Sequence, residues 1–209
     1  MAKDGGGRRG ARWLGMALAT LPLCACNTIV SSKPWFVHAA GAPQLREGLW
    51  RGLSDQPCDV DEKQPVQTWP TCAFAFVVRA SDITLYERDD KGQATPSTVS
   101  YVLAAGDPAI LQLDDTTAKP PQFEYAWLTP VRRDGQGRII ELRGGGVGCG
   151  PGKTATAGAQ PGLYPGVTVQ NGACVAASVE VLRAAAKSSI GDDDPTMVAH
   201  VRWLRAGDR

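Results

Sequence analysis

The chain is poor in the residues and motifs that usually carry chemistry. It has two histidines in 209 residues, His38 and His200. It has no Gly-x-Ser-x-Gly elbow, no His-Glu-x-x-His and no paired-carboxylate setting, so the common hydrolase arrangements have no footing. His200 alternates with Val198 and Arg202 in a strand pattern, which fits a structural histidine better than a general base. Net charge is nearly absent at +1, and no polybasic tract occurs, so nothing draws the chain to nucleic acid. The cysteines lack Cys-x-x-Cys spacing, which removes the usual zinc and thioredoxin-type motifs. The glycine-rich stretch 144–154 ends in Gly-Lys-Thr, but Val147 stands where a phosphate-binding loop needs glycine. Asp192-Asp193-Asp194 lacks EF-hand spacing and reads as a solvated turn. No catalytic residue, metal or cofactor is expected, and the chain reads as a non-enzyme.

What is present begins at the N-terminus. Lys3, Arg8, Arg9 and Arg12 form a positive opening, and residues 13–23 form an uncharged apolar core. Eleven residues are too few to span about 30 Å of hydrocarbon as a helix, so the pattern is that of a secretory signal. Arg8-Arg9 lacks the apolar residues expected after a twin-arginine pair, so general secretion is the better fit. The core runs into Leu23-Cys24-Ala25-Cys26, which resembles the lipobox of bacterial lipoproteins. The resemblance covers residues 1–27. It implies cleavage before Cys26 and palmitate-type acyl chains on that residue, hence a membrane partner through the lipid. Two or three such chains make a stable anchor where one holds marginally. Asn27, standing where Asp would signal inner-membrane retention, implies the outer membrane, facing the periplasm. The expected division is a signal peptide at 1–25, a tether at 26–42 and one domain at 43–209. Trp35 and Phe36 in the tether are placed either to dock on the domain or to graze the membrane interface. Removing four cations and one anion with the signal changes the formal charge from +1 to −2.

Export makes the remaining cysteines legible as disulfides. Cys58, Cys72, Cys149 and Cys174 allow three pairings. The sequential one, Cys58 with Cys72 and Cys149 with Cys174, is favoured because each pair brackets a Pro/Gly-rich loop.

Period-2 alternation marks strands near 43–53, 72–80, 82–89, 97–105, 108–114, 122–131, 137–144 and 166–172. Phe123, Tyr125 and Trp127 share one face. Residues 73–78 are apolar on both faces, as in a strand pressed between two layers. Turn residues at 80–82, 89–92 and 134–137 imply hairpins and antiparallel pairing. Residues 176–189 hold helix formers with Val179, Leu182 and Ala186 in a stripe, and a final strand is read at 196–206. The expected fold is mainly β: an antiparallel meander closing into a barrel or strongly curved sheet, with one helix before the last strand.

That order, with Gly48-Leu49-Trp50 on the first strand, resembles the lipocalin pattern, which has Gly-x-Trp on its first strand and a helix before its last. The chain lacks the family's Thr-Asp-Tyr segment and an Arg before the helix. The resemblance implies a barrel carrying a small apolar ligand. The stretch from Gly48 through Trp50, Cys58 and Trp69-Pro70-Thr71-Cys72-Ala73 is also similar to a motif of uncharacterised proteobacterial lipoproteins, which brings no function with it. Three readings stand in order: a non-enzymatic envelope protein that binds a partner or supports the envelope, a carrier of a small apolar ligand, and an enzyme whose site only the fold assembles.

Overall fold

The computed structural model describes residues 28–53, 57–88, 93–151, 162–191 and 198–207. The lipobox, the turn expected at 89–92 and the acidic triplet Asp192–Asp194 lie outside them. The strands are β1 (Val30–Ser31), β2 (Gly48–Gly52), β3 (Ala75–Arg79), β4 (Asp82–Arg88), β5 (Ala94–Ala104), β6 (Ala109–Asp115), β7 (Gln122–Arg133), β8 (Ile139–Gly146), β9 (Val167–Gln170), β10 (Ala173–Ala176) and β11 (Val198–Arg205), with helix α1 (Val179–Ser189) before the last.

Strands β2 to β7 form an antiparallel meander in which each pairs with the next. β8 folds back on β7, and β11 fits between β8 and β2. The result is a closed eight-stranded antiparallel barrel with a single helix before the final strand. Closure leaves these strands without the free edges that invite aggregation.

Alternation sorts the side chains into two layers. Inside lie Trp50, Phe76, Val78, Ile83, Leu103, Leu111, Leu128, Leu142 and Val201. Outside, β7 carries Tyr125 and Trp127 into a second core with Ile110, Leu182, Ala185 and Ala186, so α1 covers that wall. A third core lies under residues 57–73, where Val66 and Trp69 cover Leu49, Ala75 and Val77. The two-sided apolarity of β3 thus has its cause: Phe76 and Val78 face inward, while Ala75 and Val77 sit beneath that covering loop.

Disulfides Cys58–Cys72 and Cys149–Cys174 have Cα separations of 5.9 and 5.8 Å, the sequential pairing. The first closes the covering loop, which Glu62 also fixes through ion pairs to Arg51 at 2.5 Å and Arg202 at 3.1 Å. The second joins the glycine-rich segment to β10 beneath α1.

Two expectations change. The strand read at 166–172 is outside the barrel. It is the first arm of a β9–β10 ribbon that turns at Asn171-Gly172, where both residues have positive φ, 52° and 81°. Asn-Gly is the dipeptide that a two-residue hairpin turn prefers, because both central positions need left-handed backbone. The ribbon also takes Ala176, so the helix starts later than expected. Ser178 is its N-cap and accepts from the Val181 N–H.

The stretch expected as a tether is part of the fold from Thr28 onward, and of the two placements expected for Trp35 and Phe36 the structure shows docking on the domain. Ile29 is fully buried, and β1 pairs with β7 through Val30–Glu124 and Ser31–Phe123. The Trp35 and Phe36 N–H groups donate to Gln112 Oε1 at 2.8 and 3.0 Å, and Gln112 Nε2 donates to the Phe36 carbonyl. Both aromatic rings pack on Tyr125, with centroids 5.7 and 6.3 Å away. Burying the amide of Gln112 costs little here because it makes three hydrogen bonds.

Candidate functional site

The barrel has one packed end and one open end. At the packed end, residues 44–46 cross the floor. The Ile139 N–H donates to the Gln44 carbonyl, and the Arg46 N–H donates to the Ile139 carbonyl. Trp50 Nε1–H donates to the Arg46 carbonyl oxygen at 2.9 Å, and its ring stacks on Phe76 at 5.8 Å. Trp203 Nε1–H donates to the Glu47 carbonyl, and the Arg46 guanidinium lies 3.6 Å above the Trp203 ring. Both indole N–H groups are therefore satisfied and the floor is sealed.

At the other end β2, β4, β6 and β8 finish and β3, β5, β7 and β11 begin. Here the interior is open, as a cavity of about 240 Å³. Its wall is apolar throughout: Leu45 below, Phe76, Ile83, Leu85, Val99, Leu111, Leu113, Ala126, Leu128 and Leu142 around it, and Phe74 and Ala199 at the rim. At roughly 30 Å³ per small group, it holds about eight carbon-sized groups. It lies just below the roughly 300 to 1,000 Å³ usual for small-molecule sites.

Glycines help keep the space open. Gly144, Gly145 and Gly146 of β8 line the cavity. A Cβ on Gly144 would lie 2.6 Å from Leu128 Cδ2 and 2.9 Å from the Trp127 carbonyl oxygen. One on Gly146 would lie 2.8 Å from Thr28 Cγ2. Glycine inside a strand commonly marks such a close approach. This part of the run that imitated a phosphate-binding loop is thus wall; Lys153 and Thr154 lie outside the described residues.

Carboxyl groups stand at the mouth. Glu124 is two residues before Ala126 on β7, hence on the same, inward face, opposite Leu113 and Val30. Burial, then the nearby Asp115, raises its carboxyl pKa above the ordinary value. Asp115 is itself fixed by Thr117 Oγ1 at 2.6 Å and by the Thr117 and Ala118 N–H groups. A carboxyl with a raised folded-state pKa stabilises the fold while protonated, and that contribution is lost as pH rises through the raised value. Glu124→Gln is therefore expected to melt higher than the parent at neutral pH. The gain should vanish below the ordinary Glu value of 4.5, as differential scanning calorimetry at two pH values will show.

The other candidates fall elsewhere. His200 points away from the cavity, and its Nε2 lies 2.9 Å from Glu141 Oε1 on the outer barrel wall. His38 lines a second cleft of about 370 Å³, between residues 34–38 and the outer face of β5 and β6. Among the described residues, no three His, Cys, Asp or Glu side chains gather as a metal site, and no helix is long and apolar enough to cross a membrane.

Fold and site together define a closed antiparallel barrel with an apolar chamber open at one end. The chain matches no protein-family model, no curated protein and no solved structure.

Proposed function

We propose that this protein is a non-enzymatic binding lipoprotein of the bacterial outer membrane, facing the periplasm, whose barrel takes up a small apolar group. The observation that carries the binding role is the cavity: an open, wholly apolar chamber above a packed floor. The barrel is compatible with such a role, and its Gly-x-Trp strand and late helix add the lipocalin resemblance. The lipobox at Cys26 supplies the anchor. The two buried disulfide cysteines and the closed covering loop suit an oxidising compartment. Volume limits the ligand to about eight carbon-sized groups, so a chain segment or a single ring fits and a whole phospholipid does not.

The test is a calorimetric titration of the non-acylated chain 27–209 with toluene, a single-ring apolar probe within the volume limit, followed by displacement with octanol. Saturable binding and displacement are expected. Ala126→Trp places an indole in the chamber and is expected to weaken both by about tenfold or more, with the thermal transition retained. Binding that is non-saturable, or indifferent to this substitution, would end the proposal.

A further inference from the structure

We infer that the cavity houses one of the acyl chains carried by Cys26, so that the ligand of this barrel is part of the protein's own anchor. The inference rests on the cavity and lipobox readings above. Its own ground is the start of the fold. The expected tether would have let the lipid wander far from the domain, but residues 28–31 and the rings of Trp35 and Phe36 are packed on the barrel. Thr28 is bridged to Gly148, and its methyl group lies against Gly146 in the cavity wall. Only Asn27 separates Thr28 from Cys26. Two residue steps reach at most about 7 Å, so acyl chains on Cys26 begin beside the mouth.

The chamber suits that occupant. An acyl chain asks for an apolar wall without hydrogen-bonding groups on its path, and the lining from Leu45 to Ala126 supplies it. The room corresponds to roughly eight methylenes, a part of one chain, so the remaining chains stay free for the bilayer. A diffusing ligand must meet the mouth by collision, whereas a tethered chain is present at high effective concentration and competes it out.

The test uses the full signal-bearing chain, so that lipidation occurs, with the photoreactive residue p-benzoylphenylalanine replacing Phe74 at the mouth. The control carries it in place of Val131, exposed near the packed end. Purified protein in phosphatidylethanolamine vesicles is weighed intact, illuminated, digested and analysed by mass spectrometry. The expected result is a cross-link between the peptide holding residue 74 and the acylated Cys26 peptide, absent at 131. A vesicle phospholipid joined to residue 74, no product there, or equal products at both positions overturns the inference. An intact mass without acyl groups overturns it together with the lipoprotein reading. If non-acylated chain 27–209 fails to bind toluene, the cavity reading falls as well. If that chain binds the probe but residue 74 never joins Cys26, the self-occupancy alone is wrong.

Discussion

Trp50→Ala is expected to cost about 5 kcal/mol, much of the roughly 5 to 15 kcal/mol that holds a typical domain. The side chain is fully buried in the barrel floor and stacks on Phe76. Deleting a buried Trp leaves a cavity worth about 3 to 5 kcal/mol, and the Arg46 carbonyl loses its donor for about 1 kcal/mol more. For a chain of this size the melting temperature should fall by roughly 10 to 20 °C, read by circular dichroism. Trp50→Phe keeps a stacking ring and loses only the N–H and some volume, so it should cost clearly less. Equal losses would mean that stacking and shape do not hold the floor. The partner position explains the other half of the motif. Gly48 has φ +126°, and a Cβ there would lie 2.2 Å from the Arg205 carbonyl oxygen. The Gly-x-Trp pair is thus the place where the first and last barrel strands can approach and still be capped by an indole.

Removing the Cys149–Cys174 bridge by double alanine substitution is expected to cost about 3.5 kcal/mol, the loop-closure value for a 26-residue ring. Both sulfurs are in the core beneath α1, so ring entropy is only part of the effect. The ribbon β9–β10 and the helix should loosen first, while the meander β2–β7 keeps its pairing. Hydrogen exchange by mass spectrometry checks this: protection should fall over residues 167–189 and persist over 75–88. A uniform loss would show instead that the bridge supports the whole barrel. Under reducing conditions the parent should show the same loss over 167–189 and, because Cys58–Cys72 opens as well, a further loss over the covering loop 57–73.

Much of the architecture can be read from alternation. Phe123, Tyr125 and Trp127 were legible as one face, and the double apolarity of residues 73–78 signalled a strand between two layers. What alternation cannot reveal is whether an inward face meets filled or empty space. Leu111 and Leu113 read identically in either case, and only Gly144 and Gly146 hinted at room. Those glycines lay inside a run that resembled a loop, so the hint was hidden. Asn171-Gly172 carried a clear hairpin signal, but the helix formers after it drew Ala176 into the helix by propensity. The packed start at Thr28 was invisible because its bonds are long-range. Gln112 holds Trp35 and Phe36 from 77 and 76 residues away, and no local pattern announces such a partner. The same holds for His200 and Glu141, which meet only through the register of β11 with β8.

The place of β11 has a consequence for the order of events in the cell. A ribosome delivers the N-terminus first, and β11 is the last of the barrel strands made. Until Val198–Arg205 arrives, β2 and β8 have one unpaired edge each, and the barrel is an open, curved sheet showing its apolar inner face. The register Leu49–Arg205 and Trp50–Trp203 joins residues about 150 positions apart, so closure waits on the slowest kind of contact. A nascent or truncated chain lacking its last dozen residues therefore exposes both sticky edges and greasy lining. Such a species is the natural client of holding chaperones and proteases, and the arrival of β11 is the act that hides it from them.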